Sequence, residues 1–257
     1  MEENVQDNSE LLGMTSASEN INIDFVFCDA KEDDEPWIRA LISKGWTGRL
    51  FNQDEMKLRD LAQKCSEQVE IGTFVKTEQD DESVYAFATV FQANEHLPQS
   101  VQAKLNKMLS GQDSKKKRIG WIVREAIVNV PSQVTYQLLH CLKDDIEWAE
   151  KQKFAKYDSF VILCPCYDDE VRPDSSSYGS SVAKKKAKRT SNYDYALSED
   201  MVLANVAVDS AFFQIPRPRP VEGVDLPESL EHAPWGCHAL LIERESLFQA
   251  IETLQNV

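Results

Sequence analysis

Apolar residues recur along this chain with two periods, and the switches between them mark its elements. In INIDFVFC, Ile21, Ile23, Phe25 and Phe27 fall on every second position, which predicts a half-buried strand. A helix is expected next. Asp33 and Asp34 stand where they can cap exposed N–H groups, Pro36 suits a first turn, and Trp37, Ile38, Leu41 and Ile42 supply an apolar stripe. A second helix is predicted over 54–66, with Leu58, Leu61, Ala62 and Cys65 at helical spacing. EIGTFVKT and SVYAFATVF, parted by the acidic tip EQDDE, predict an antiparallel pair whose second strand is apolar on both faces and therefore central.

Residues 97–109 read as a surface helix, and the basic run Lys115, Lys116, Lys117, Arg118 leads into the strand RIGWIVREAIV. The longest helical signal follows, with Pro131 near its first turn and Val134, Leu138, Cys141, Leu142, Ile146 and Ala149 on one face. Its last turns carry Asp144, Asp145, Glu147 and Glu150, the wrong sign for the helix dipole unless something cationic meets them. YDSFVILCP predicts a buried strand. MVLANVAVDSAFFQI fits helix or strand, whereas WGCHALLIE is strand-like and leads into a final helix opened by a capping box at Ser246 and Gln249. The sum is an α/β domain with a mixed sheet flanked by helices. Residues 1–20 and the Ser/Lys-rich stretch at about 168–194 are too polar to bury a core and are expected to be a disordered tail and loop around a single domain at 21–257.

Charge changes this picture most. The 257 residues hold 43 acidic and 28 basic side chains, a formal charge of −15, and eleven carboxylates but a single lysine fall between Met1 and Glu35. Such a field attracts cationic partners and opposes phosphates and anionic membranes, so direct nucleic-acid and membrane binding are not expected. The acidic candidates for partner binding are Glu78, Asp80, Asp81 and Glu82 at the tip and Asp144, Asp145 and Glu147 on the long helix. Inside the Ser-rich loop, Lys184, Lys185, Lys186, Lys188 and Arg189 form a short basic cluster suited to a nuclear-import receptor. The first twenty residues have neither the basic start nor the apolar core of a secretory leader, and no apolar run approaches the roughly 18 residues of a membrane span.

Little in the chain suggests reaction chemistry. Cys164, Cys166, His232, Cys237 and His238 can be imagined as a zinc site, but C-x-C is not zinc-knuckle spacing and adjacent Cys237 and His238 leave opposite faces of a strand. All six cysteines are expected to be packed thiols and all four histidines to lie at the surface, His140 on the polar face of its helix. With nine glycines and neither G-x-G-x-x-G nor a P-loop, nucleotide binding is not expected. No catalytic residue, cofactor or metal is assigned.

The order of these segments resembles the BCCIP family of eukaryotes. IDFVFCDAKEDDEPWIRALI is similar to that family's acidic strand and helix, and VKTEQDDESVYAFATVF to its hairpin with an acidic insert. IGWIVREAIVNVPSQV resembles its strongest signature at Gly120, Glu125, Asn129 and Pro131, while Arg124 and Ala126 depart from it. The resemblance implies a fold like that of GNAT acetyltransferases without the enzyme activity. It also implies a chaperone and nuclear-export factor for a large-subunit ribosomal protein of the L-fourteen kind, found in the nucleus and nucleolus and shuttling to the cytoplasm. Partners in cell-cycle control and DNA repair are linked to the same family. The enzyme's pyrophosphate turn needs free backbone donors on a glycine-rich strand-to-helix junction, whereas residues 127–131 here have no glycine and end on Pro131. An active or degenerate acetyltransferase stays as the alternative function.

Overall fold

The computed structural model describes residues 23–51, 54–80, 82–97, 99–109, 117–127, 129–168, 193–215 and 236–254. The acidic tail and the Lys184–Arg189 cluster lie outside these residues. The described strands are β1 (Phe25–Cys28), β2 (Gly72–Thr77), β3 (Ala86–Gln92), β4 (Ile119–Ala126), β5 (Ser159–Asp168), β6 (Tyr193–Tyr195), β7 (Asp209–Gln214) and β8 (Gly236–Glu243). They form one sheet in the order β1-β2-β3-β4-β5-β8-β7, with β6 beside the end of β5. Pairing is antiparallel except between β4 and β5, so the sheet is mixed, as the sequence predicts.

The β4–β5 ladder is short. It runs from Ile119 opposite Ser159 to Ile122 opposite Ile162, although β4 continues to Ala126 and β5 to Asp168. The long helix α6 (Ser132–Lys151) makes the crossover that a parallel pair requires.

Helices cover both faces. On one lie α1 (Glu35–Lys44), α2 (Trp46–Leu50), α3 (Glu55–Glu67), α4 (Ala93–His96) and α5 (Gln99–Leu109), and on the other α6, α7 (Ser198–Asn205) and α8 (Arg244–Leu254). The period of two sorts β4 between them, with Ile119, Trp121 and Val123 joining the first core and Ile122 the second. Gly120 belongs where Val90 and Phe160 close in, because a Cβ there would meet both at 2.8 Å. β3 is buried on both faces, as its continuous apolar run implies. Full burial of side chains such as Trp121, Phe74, Phe87 and Phe160 contributes roughly 1.5–3 kcal/mol each.

Several local expectations need correcting. Asp34 does not cap α1 with its side chain; its carboxylate accepts from the Lys31 N–H and pairs with Lys76 Nζ at 2.6 Å, both side chains nearly sealed from water. Trp37 is left 43% exposed, because Ile38, Leu41 and Ile42 suffice to face the sheet. The ambiguous segment at 201–215 is both things in turn, the greater part of α7 and then β7. The last helix starts at Arg244, so Ser246 is already inside its first turn. The expected loop at 168–194 is trimmed at both ends, since Asp168 lies in β5 and Tyr193 and Asp194 in β6.

Candidate partner-binding surface

Beyond Ile122 β4 has left β5 but still pairs with β3, and there it turns a charged side chain toward α7. Arg124 Nη1 lies 3.2 Å from Glu199 Oε1, Nη2 bonds Asp200 Oδ1, and Nη2 approaches Cys164 Sγ at 3.9 Å. The group is closed to solvent, with Arg124, Glu199 and Asp200 side chains at 7%, 3% and 0% exposure. Burial works against the Arg124 charge, but the neighbouring Asp200 and Glu199 outweigh it and hold the guanidinium above its usual range. Burial likewise lifts Asp200 to about 6 despite Arg124. Ser198 Oγ, on the same turn of α7, meets Tyr136 Oη of α6 at 2.8 Å. The end of β4 is therefore tied to α7 by ion pairs, with Cys164 of β5 lying against the same guanidinium. Arg124 is the residue that sequence reasoning recorded only as a departure, and its visible signal was the adjacent charges Arg124 and Glu125 inside an otherwise apolar central strand.

The four signature positions have structural duties. Gly120 admits its neighbours, Asn129 holds a left-handed backbone (φ 73°), and Pro131 stands at the N-cap of α6. Glu125 projects from β4 to the opposite face, where its Oε1 accepts the Thr47 N–H of α2 at 2.9 Å. Its carboxylate also fills the space where a Cβ on Gly45 would fall, 2.3 Å from Oε2. Burial pushes this carboxyl up to about 8, with the Thr47 hydrogen bonds and Arg124 only partly opposing it.

The acidic candidates do not form one patch. At the tip, Glu78 and Glu82 are exposed, while Asp80 folds back on the turn and accepts from the N–H groups of Glu82 and Ser83. That bonding, led by Ser83, lowers the Asp80 carboxyl. Asp81 lies outside the described residues. Asp145 belongs to the far end of β2, accepting from the Gly72 N–H at 3.2 Å and the Thr73 hydroxyl at 2.9 Å. Thr73 and Glu78 are five residues apart on an extended chain, or about 17 Å. Beside Asp145 stand exposed Asp144 and Asp29, and Asp145 is raised chiefly by burial and further by these two carboxylates. Asp29 was missed in the sequence because only the β1–β2 register brings it to α6. The cations that the helix end requires come partly from within: Glu150 meets Lys156 at 2.8 Å and also Arg244, and Glu147 meets Lys151 at 3.8 Å.

Two histidines differ from expectation. His140 is 7% and His238 6% exposed, the latter bonded through Nδ1 to Tyr195 Oη at 2.7 Å and lowered by burial to about 4. Cys65, Cys164, Cys166 and Cys237 are buried and Cys28 and Cys141 half-buried. Burial raises the Cys164 and Cys237 thiols, the reverse of what a metal ligand or nucleophile needs. No helix among the described residues is long and apolar enough to cross a membrane.

The BCCIP family profile matches residues 20–203. "Protein bcp1" of Emericella nidulans is 28% identical over 186 residues, covering 65% of this chain and 62% of that protein. "Protein BCCIP homolog" of Arabidopsis thaliana is 26% identical over 188 residues, covering 65% and 55%. The matched stretches thus span little more than half to under two thirds of these relatives' length. The crystal structure of BCP1 from Saccharomyces cerevisiae superposes with a TM-score of 0.58 at 17% identity, covering 97% of this chain and 93% of that one.

Proposed function

Because the chain belongs to the BCCIP family, we propose that it is a non-enzymatic nuclear chaperone for a basic large-subunit ribosomal protein of the L-fourteen kind. It covers the client's cationic surface and escorts it through large-subunit biogenesis and nuclear export. Import is read by a nuclear transport receptor from Lys184, Lys185, Lys186, Lys188 and Arg189. The observation that carries the reading is the cluster of Asp29, Asp144 and Asp145 at one end of β2, where two exposed carboxylates flank a part-buried one and together offer a cationic client an anionic surface. Support for a non-catalytic role comes from the junction of β4 and β5, where α7 is tied in by Arg124, and from the non-glycine turn before Pro131.

The test is a binding titration of the full chain with the purified ribosomal protein at increasing salt. Affinity is expected to fall steeply with salt and to drop about tenfold in D29N/D144N, as loss of close charge pairing predicts. Binding that is absent, or indifferent to both salt and the substitutions, refutes the reading.

A further inference from the structure

β1 ends the sheet order, and among the described residues no strand lies beyond it. The Glu78 N–H bonds the Asp24 carbonyl at 3.2 Å, in the register that pairs Phe25 with Thr77. Backbone groups alternate between the two sides of an antiparallel strand, so those of Phe25 and Phe27 point away from β2 and meet no strand among the described residues. An open row of donors and acceptors is a template for another strand, and proteins commonly blunt it with proline or lysine. β1 reads FVFC and contains neither. Val26 on it is 38% exposed, and Ile23 just before it 50%.

Both ends of this edge are acidic. Asp24 and Glu78 are exposed at one end and Asp29 and Asp144 at the other, where part-buried Asp145 feels both of the latter. Of the two lysines whose charge reaches Cys28 in β1, Lys76 is closed against Asp34 at 2.6 Å, and exposed Lys31 is followed by exposed Glu32 and Asp33. The local balance is therefore negative, and it decides what can pair there. Two copies of β1 joined antiparallel about their midpoint would set Asp24 opposite Asp29 at each end, and like charges directly opposite destabilise a ladder. A strand carrying lysine or arginine meets the opposite sign at both ends.

We infer that the open edge of β1 is a docking site for an extended basic segment of a partner protein, which adds a strand through the backbone groups of Phe25 and Phe27 and sets cationic side chains against Asp24 and Asp29. Main-chain bonds hold such a strand, and the flanking charges select it. The inference rests on the proposed function and adds the way in which the client is held.

A synthetic peptide of alternating valine and lysine serves as probe, with hydrogen exchange of the full chain followed by nuclear magnetic resonance. In the free chain the Phe25 and Phe27 amides should exchange freely while Val26, turned toward β2, is protected; saturating peptide should slow Phe25 and Phe27 by at least about tenfold. The same peptide N-methylated at every amide keeps its charge but cannot donate, and should bind at least about tenfold more weakly. D24N/D29N is expected to weaken the unmodified peptide about fivefold, while E243Q/E245Q, roughly 24 Å away at five strand spacings, changes it by less than about twofold. All four carboxylates are exposed, and circular dichroism confirms that their substitution leaves the fold intact. A peptide that does not bind, that binds and leaves both amides unchanged, or that binds equally well when N-methylated overturns the inference, and the proposed function stands if the ribosomal protein still binds. If the chain binds neither peptide nor ribosomal protein, both fail. Protection of Phe25 and Phe27 already present in the free chain assigns the edge to the chain's own first residues or to a second copy, and likewise overturns the inference.

Discussion

Glu125 is the residue on which burial, charge and backbone support converge. A carboxyl raised from its ordinary value to about 8 in the folded chain binds its proton more tightly there than when unfolded. Stability from the protonated form is therefore present at acid pH and is lost as pH rises from about 4.5 toward 8. Glutamine keeps an acceptor for the Thr47 N–H without the charge. E125Q is accordingly expected to gain at least about 1 kcal/mol over the natural chain at pH 8 and little at pH 4.5, read from urea unfolding at the two values. An equal effect at both would show that the carboxyl is already ionised in the fold. Asp200 acts in the same direction over a lower window, from about 4 to 6.

At the scale of an element, the end of α6 shows how much can rest on one backbone conformation. Lys153 occupies a left-handed position that glycine takes without steric cost. K153G is expected to stabilise the chain by about 1 kcal/mol in thermal or urea unfolding. Loss of stability would mean that the Lys153 side chain contributes more than its backbone costs. This ending is not legible in the sequence, because no glycine marks it. What is legible follows from period alone: Leu58, Leu61, Ala62 and Cys65 predict α3 almost to its ends, and the doubly apolar run places β3 centrally. Pairs made across long sequence separations are not legible. Lys76 and Asp34, or Asp200 as the partner of Arg124, look like surface charges until the fold places one against the other. The candidate site divides the same way, with Asp145 found by helix position and Asp29 hidden until β1 met β2.

Across the whole molecule, charge and topology act at different ranges. The −15 total sets up a field that reaches about a Debye length, while strand and side-chain pairing act only on contact. The brevity of the β4–β5 ladder reaches further. β1 through β4 form a continuous meander within residues 25–126, and β5, β8 and β7 form a second antiparallel group, so the two share a seam of four paired residues on each strand. The expected consequence is that the two groups open as separate cooperative units, each a foldon with its own free energy. In native-state hydrogen exchange, amides of β2 and β3 should fall on one isotherm and those of β5 and β8 on another, and Arg124→Met should draw the two further apart. A single isotherm for all four strands would mean that the sheet melts as one. If the two isotherms are found, the molecule is two half-sheets hinged along a narrow join, and the buried arginine is the clasp that keeps the join shut.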